Sequence, residues 1–328
     1  MKSTVLVTEP IGAPGLALLE ERCRVIAAWR DDPDVEFENA RADLWDADAV
    51  VVRLFPVRRG DLERARRLKV VAKHGVGVDN IDCEAATEKG IPVLYTPGGN
   101  ANAVAEHTFA LLFALLRRTE ASDRSVRAAG PWRREDFQGV ELAGKTLGVI
   151  GLGRIGTLVA TKATLGFGMK VIAYDPYVDR NASRPFAVEF CDTLQELVTT
   201  ADATTLHVPL TNETRGLIDG RVLGQIKSSG RLINTSRGAV VDESALATAL
   251  SSGQLAGAAL DVFEEEPLPP GHPLRAAPNT VLTPHIAGLT DEAMIRISTD
   301  IARGVLEILE GGRPSGDLAN PEVKSSFS

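Results

Sequence analysis

The sequence predicts an α/β protein made of two Rossmann-like parallel-sheet domains. Three observations carry that expectation. Strand-length apolar runs alternate with helix-length segments through most of the 328 residues. The alternation starts afresh at Thr146. At the head of this second series an apolar run leads directly into Gly151-Leu152-Gly153-Arg154-Ile155-Gly156. Alternating strands and helices favour parallel pairing, because each helix carries the chain back to the same edge of the sheet. The length suffices for two domains of ordinary size.

In chain order, Val5-Leu6-Val7 is a strand and Gly15 to Arg22 has helical periodicity. Ala49-Val50-Val51-Val52-Arg53 and Leu68-Lys69-Val70-Val71-Ala72 are β-branched runs of strand length, separated by a polar helix over Gly60 to Arg67. A helix over Cys83 to Lys89 leads into the strand Ile91-Pro92-Val93-Leu94. The segment from Ala103 to about Arg118 is apolar nearly all round, so a long helix is expected between structural layers. Ala121 to Leu142, which contains Gly130-Pro131-Trp132, loses periodicity and is expected to be an irregular excursion. The second series has strands at Thr146–Ile150, Lys170–Tyr174, Ala203–Leu206, Arg231–Asn234, Gly257–Leu260 and Thr280–Leu282. A last helix, Asp291 to Leu309, precedes a polar tail expected to fray. No tandem repeat of solenoid period is present.

Composition narrows the function. A net charge of -8 leaves no basic excess to neutralise phosphates, which argues against a nonspecific nucleic-acid binder. Arg58-Arg59, Arg117-Arg118 and Arg133-Arg134 have acids nearby and are expected on solvated helix ends and loops. Cys23, Cys83 and Cys191 share no metal-ligand spacing and fit reduced thiols, so no metal is expected and the location is expected to be cytoplasmic. The N-terminus runs straight into a strand and has no signal-peptide pattern. The longest apolar helix-like run, Thr108 to Leu116, is far too short to span a bilayer.

A Gly-x-Gly-x-x-Gly run alone is a weak signal, but this one has its context: a strand ends at Ile150 and a helix is expected from near Arg154. Gly151 permits the tight turn, Gly153 lets the backbone approach a pyrophosphate, and Gly156 lets helix and strand pack closely. Free N–H groups and the positive end of the helix dipole would face the phosphates. Asp175 ends the next strand at roughly the twenty-residue spacing of a ribose-binding acid. Its carboxylate would accept from ribose hydroxyls and repel a 2′-phosphate, and Pro176 rather than an arginine follows. The expected cofactor is NAD rather than NADP.

Three residues late in the chain supply a cation, an imidazole and a carboxylate. Arg237 follows a strand ending at Asn234, and a guanidinium suits a planar carboxylate and a neighbouring carbonyl oxygen. His285 follows Thr283-Pro284 at another strand end, and imidazole can give and take a proton near neutrality. Glu266 would orient the imidazole; it is chosen from Glu264-Glu265-Glu266 because Pro267-Leu268-Pro269, directly after it, stiffens the loop. Holding a carboxylate, polarising a ketone and protonating an alkoxide are what reduction of a 2-keto acid requires. Among the other histidines, His207 ends a strand and is placed at the cofactor site, His107 is read as core, and His272 as loop. His74 precedes Gly75-Val76-Gly77-Val78-Asp79-Asn80, which reads either as a backbone nest for an anion or as a plain turn.

Taken together, Gly75 to Asp82, Asn102-Ala103-Val104-Ala105-Glu106, Gly148 to Gly156, Asn234-Thr235-Ser236-Arg237-Gly238, Ala259-Leu260-Asp261-Val262-Phe263 through Glu266-Pro267, and Thr283-Pro284-His285-Ile286-Ala287-Gly288 resemble the D-isomer-specific 2-hydroxyacid dehydrogenases. Phosphoglycerate dehydrogenase and hydroxypyruvate/glyoxylate reductase are the nearest branches, and the resemblance covers nearly the whole chain. It implies Arg237, Glu266 and His285 as the catalytic set. For the cofactor it implies Val104, Gly151, Gly153, Arg154, Ile155, Gly156, Asp175, His207, Val208, Pro209, Thr235, Ser236, Asp261 and Gly288. For the substrate it implies Arg53, Val76, Gly77 and Asn100. A discontinuous substrate domain, residues 1–99 and 287–328, would hinge against an NAD domain, residues 100–286, with a homodimerisation arm near 121–142. Arg53 matches a cation of the phosphoglycerate branch but is followed by Leu54, which leaves open whether the substrate carries a second anion. Glu266, rather than glutamine, looks unlike formate dehydrogenase. No regulatory domain follows the core, so feedback control by serine is not expected. The rival reading is an NAD(H)-sensing binding protein or corepressor on the same fold.

Overall fold

The computed structural model describes residues 2–30, 37–128 and 132–326. They form two compact units, Met1–Asn100 with Leu289–Ser328, and Ala101–Gly288. In the first unit β1 (Thr4–Val7), β2 (Arg24–Ile26), β3 (Ala49–Val52), β4 (Val70–Lys73) and β5 (Val93–Tyr95) lie in the order β2-β1-β3-β4-β5, all parallel. Both faces are buried, which is why these strands are continuous apolar runs rather than alternating ones. Val5, Val51 and Val70 pack on one face with Leu19, Ile297 and Val305. Leu6, Val50 and Val71 pack on the other with Leu44 and Leu62.

The second unit repeats the plan with a longer sheet. β6 (Thr146–Ile150), β7 (Lys170–Tyr174), β8 (Glu189–Phe190), β9 (Ala203–Leu206), β10 (Arg231–Asn234), β11 (Gly257–Leu260) and β12 (Thr280–Leu282) are parallel, in the order β8-β7-β6-β9-β10-β11-β12. Strand order reverses between β6 and β9, which opens a crevice at the C-terminal ends of those strands. The helices Ala101–Arg117 and Arg154–Phe167 cover one face, with Leu112 and Val159 against Val149 and Ile233. The rings of Phe109 and Phe113 lie 4.8 and 5.1 Å from that of Phe167, stitching the two helices together. Leu197, Leu223 and Leu246 cover the opposite face against Leu206 and Leu232.

Two expectations need correction. The excursion at 121–142 opens with a helix, Thr119–Arg127. It has no buried residue to give an apolar period, and an exposed Asp123–Arg127 pair at 2.8 Å joins successive turns. Gly130 and Pro131 lie outside the described residues. Within the described residues the start of the tail is ordered rather than frayed: Asp317–Leu318 adds an antiparallel edge to β5. Asn320, 3% exposed, locks it by accepting from Val93 N–H at 2.8 Å and donating to the Ile91 carbonyl at 2.9 Å. One buried amide thus does what hydrophobic patterning does not reveal. Among the described residues no helix is long and apolar enough to cross a membrane.

Candidate active site

Parallel pairing puts every strand end of the second sheet on one edge. Reading across it, Asp175 follows β7, Gly151 and Gly153 follow β6, and His207 to Pro209 follow β9. Thr235, Ser236 and Arg237 follow β10, Asp261 and Glu266 follow β11, and His285 and Gly288 follow β12. Residues scattered over more than a hundred positions therefore line a single sheet edge, the edge at which ligands bind in such folds.

The glycine loop shows why each glycine is there. Gly151 has φ +87°, and a Cβ on it would lie 2.7 Å from the His207 carbonyl oxygen. A Cβ on Gly156 would lie 2.1 Å from the Gly151 carbonyl oxygen, so helix and turn approach too closely for any side chain. At Gly153 a Cβ would meet nothing within 4 Å. The protein itself does not require glycine there, whereas a ligand on that spot would. The N–H groups of Gly153, Arg154 and Ile155 donate to no protein acceptor among the described residues, which fits a pyrophosphate at the helix N-terminus. Asp175 steadies the cradle by accepting from Leu152 N–H at 2.8 Å and Tyr177 N–H at 2.9 Å. Half-buried His207 contacts the Thr205 hydroxyl at 3.0 Å, and desolvation lowers its pKa to about 3, so the ring is neutral. Val104, Thr235 and Ser236 are buried, whereas Arg154 is exposed. Changing Gly153 to alanine is expected to leave the melting temperature unaltered and to weaken NADH binding at least about tenfold, read by fluorescence titration, because it puts a methyl where backbone must approach a ligand.

Arg237 sits on a turn fixed by Asn234, which the sequence reading missed. The Asn234 carboxamide oxygen accepts from Ser236 N–H (2.9 Å) and Ser236 Oγ (2.7 Å), and its Nδ2 donates to the Arg237 carbonyl (2.8 Å). An asparagine ending a strand is the available signal for such a side-chain turn. Gly238 then passes so near the Phe263–Glu264 backbone that a Cβ would lie 1.9 Å from the Phe263 carbonyl carbon. That approach brings the Arg237 turn beside the acidic loop. Within the loop, Glu266 Oε1 accepts from Phe263 N–H at 3.0 Å and Oε2 lies 2.7 Å from His285 Nδ1. Glu264 instead faces Arg215 at 3.8 Å, which separates Glu266 from its neighbour by geometry. Burial works against the charged form of Glu266, but the bonds from His285 and Phe263 prevail and hold its carboxyl below the usual range. The loop is braced by Glu243, which accepts from Glu264 N–H at 2.8 Å and lies 3.2 Å from His272 Nε2. His272 is therefore a bracing loop residue rather than a spectator.

His285 has φ +54°, a left-handed conformation uncommon outside glycine. It persists because its surroundings over-determine it. His285 N–H donates to the Asp261 carbonyl at 2.8 Å, and the Asp261 side chain accepts from Ile286 N–H at 2.9 Å and Ala287 N–H at 2.7 Å. Asp261 is fully buried. Burial opposes its ionisation, but donors from His107, Thr283, Ile286 and Ala287 outweigh it and keep the carboxyl below its ordinary pKa. His107 is thus not an apolar-core histidine as expected; its Nε2 lies 3.2 Å from Thr283 Oγ1 and 3.5 Å from Asp261 Oδ1.

In the first unit, Arg53, Val76 and Gly77 stand at the C-terminal edge of that sheet, and Asn100 closes the segment after β5. The N–H groups of Val76 and Gly77 donate to no protein acceptor among the described residues, which favours the nest over the plain turn. Glu9 accepts from the N–H groups of Arg53 (2.9 Å) and Phe55 (2.9 Å), and Arg53 Nη1 donates to the Pro10 carbonyl at 3.1 Å. Burial pulls the Arg53 pKa down, the condition of a cation partly stripped of water. Among the described residues, Asn100 Oδ1 accepts no hydrogen bond. His74, 5% exposed, is held neutral with its pKa lowered to about 4, first by burial and then by the charge of Arg53. Acid should therefore destabilise this unit. As pH falls through 6.5 the unfolded chain takes a proton that folded His74 refuses, and the loss is complete only near 4. At pH 5 the cost is about 2 kcal/mol. Urea unfolding at pH 7 and pH 5 should show that loss, and His74→Gln should remove most of it.

A family model described as D-isomer specific 2-hydroxyacid dehydrogenase, NAD binding domain, matches residues 109–287. The chain is 42% identical over 320 residues to D-3-phosphoglycerate dehydrogenase of Methanocaldococcus jannaschii, covering 97% of this chain but 60% of that protein. It thus spans about three fifths of that relative's length. To glyoxylate reductase of Thermofilum pendens it is 41% identical over 326 residues, covering 97% of this chain and 95% of the other. A solved structure from Thermus thermophilus superposes with a TM-score of 0.87 at 38% identity, over 96% of this chain and 99% of that one.

Proposed function

The chain belongs to the D-isomer-specific 2-hydroxyacid dehydrogenase family, and from that premise we propose that it interconverts a small D-2-hydroxy acid and its 2-keto acid. The observation that carries the reading is the 2.7 Å pair between His285 Nδ1 and Glu266, on the sheet edge that also bears the glycine cradle and Arg237. Bound NADH supplies the hydride for reduction. Asp175 favours NADH over NADPH, since a 2′-phosphate would meet its charge.

Arg237 holds the substrate carboxylate and draws electron density toward the keto oxygen. With Nδ1 engaged by Glu266, the imidazole presents Nε2, which protonates the nascent alkoxide in reduction and removes the hydroxyl proton in oxidation. Taken by itself, the first unit offers the Val76 and Gly77 amides as donors suited to a carboxylate oxygen, and Arg53 as a cation suited to a second anionic group. A panel of 2-keto acids with NADH and NADPH tests the proposal. Steady turnover with NADH is expected, with higher kcat/KM for acids bearing a second anion. Arg53→Gln should erase that preference, raising KM for the dianionic acids roughly tenfold and sparing glyoxylate, the scale of one charge-assisted contact. Absence of turnover across the panel, with NADH still bound, would point to a nucleotide-sensing protein instead.

We further propose a homodimer joined through the arm near 121–142. Val126 and Trp132 are 62% and 54% exposed there, more apolar surface than a solvated helix and loop require.

A further inference from the structure

His107 takes no part in the steps above, yet it is the one ring on the helix Ala101–Arg117 that reaches the loop carrying the proposed acid. We infer that His107 is a positioning residue: through Thr283 and Asp261 it fixes the loop that presents His285. This inference rests on the functional reading of His285 given above.

The hydrogen-bond directions are set by elimination. Asp261 is acceptor-only when ionised, so the Thr283 hydroxyl, 2.6 Å from Asp261 Oδ1, spends its proton there. Its oxygen then faces His107 Nε2 at 3.2 Å as an acceptor, which assigns the ring proton to Nε2. The order is His107 N–H to Thr283 oxygen, and Thr283 O–H to Asp261. Chains of this kind polarise each member, and the buried carboxylate at the end gains most. Asp261 is the point from which the loop hangs. Its Oδ1 also takes Ile286 N–H, its Oδ2 takes Ala287 N–H, and its carbonyl takes His285 N–H. The residues on both sides of His285 are therefore tied to one carboxylate, and His285 itself holds a left-handed φ that needs such ties.

The helix is a suitable anchor. Residues Ala105, Phe109, Leu111 and Leu112 are buried in the core of the second unit, so His107 is delivered from a rigid element. One position further on, Thr108 Oγ1 lies 3.2 Å from Thr235 Oγ1, in the turn that carries Arg237. The same helix thus steadies the turns of both the proposed cation and the proposed acid.

The test compares His107→Leu, which keeps bulk and loses the donor, with His107→Gln, which keeps an N–H near the Nε2 position. Four quantities are measured: kcat and KM for 2-keto acid reduction, NADH affinity by fluorescence, and the rate at which diethyl pyrocarbonate modifies His285, followed by peptide mass spectrometry without turnover. His107→Leu should lower kcat about tenfold or more, the scale of a sub-ångström misplacement of a catalytic group. NADH affinity should change less than about twofold, and the modification rate of His285 should shift. His107→Gln should recover kcat to within about threefold of the parent. A His107→Leu enzyme with parental kcat, or an equal loss in both variants, overturns the inference. If His107→Leu does not fold, Thr283→Val takes its place, since it breaks the same chain with an isosteric side chain, and parental kcat there is equally fatal. His285→Ala separates the premise from the inference. Activity surviving in His285→Ala refutes the acid, whereas a dead His285→Ala beside a normal His107→Leu refutes only the positioning role.

Discussion

Replacing His285 with alanine is expected to lower kcat for 2-keto acid reduction by about a hundredfold or more, corresponding to roughly 2.7 kcal/mol of lost transition-state stabilisation. NADH binding and the unfolding midpoint should change little. The ring is partly exposed, and the bonds that hold the loop come from the backbone at 285–287 rather than from the imidazole. The loss should therefore fall on kcat, the signature of a contact made in the transition state. The pH profile gives a second reading. Reduction takes up a proton and oxidation releases one, so acid favours the first direction and alkali the second. The acid side is bounded by Glu266. Its carboxyl is held below the usual range, so the pair with His285 is intact at and above that range and is lost only as pH falls through the depressed value. In His285→Ala the Glu266 carboxylate has no imidazole to hold, so the acid limit set by that pair should disappear. A variant with near-parental kcat and an unchanged profile would remove His285 from the chemistry.

Much of the fold was legible because both sheets are buried on two faces. Such strands are short, continuous β-branched runs, and Val50-Val51-Val52 or Thr146 to Ile150 announces itself. What escaped notice lacks that signal. The helix Thr119–Arg127 buries nothing, and β8 and the Asp317–Leu318 edge are two residues long. At the site, residues that speak through chemistry were visible: glycines at a strand end, a histidine after a strand, an arginine in a turn. Residues that act by holding others were not. Asn234 looked like a strand terminus, His107 looked like packing in an apolar helix, and Glu243 was not singled out at all. Each turns out to be tied to a residue outside its own element, His107 to a threonine 176 positions on. A single sequence carries no trace of so distant a partner as that threonine. Asp261 was assigned by resemblance to the cofactor, whereas its buried carboxylate also organises the loop around His285.

Gly238→Ala is expected to be as damaging to activity as loss of the acid itself, although Gly238 makes no contact with substrate in the proposed mechanism. A Cβ there would sit 1.9 Å from the Phe263 carbonyl carbon, 2.2 Å from Glu264 nitrogen and 2.3 Å from the Phe263 carbonyl oxygen. All three are backbone atoms, so no side-chain rotation relieves the clash, and one loop must move by about 1.5 Å or more to restore ordinary contact distances. Both loops are consequential. One carries Arg237; the other carries Glu266, whose orientation depends on the Phe263 N–H that the methyl displaces. Displacing a catalytic group by about 1 Å costs on the order of a hundredfold in rate. Overpacking should cost about 1–3 kcal/mol of stability, a modest fraction of what holds a domain together. The expected result is a folded protein that binds NADH through the intact cradle and turns over at least about a hundredfold more slowly. Because Glu266 and Arg237 are disturbed together, adding Glu266→Gln to Gly238→Ala should cost much less than it does in the parent, since coupled groups do not add. If Gly238→Ala keeps parental kcat, the two loops are not held in register by this contact. The pairing of carboxylate and imidazole would then have to be maintained by the Asp261 side alone.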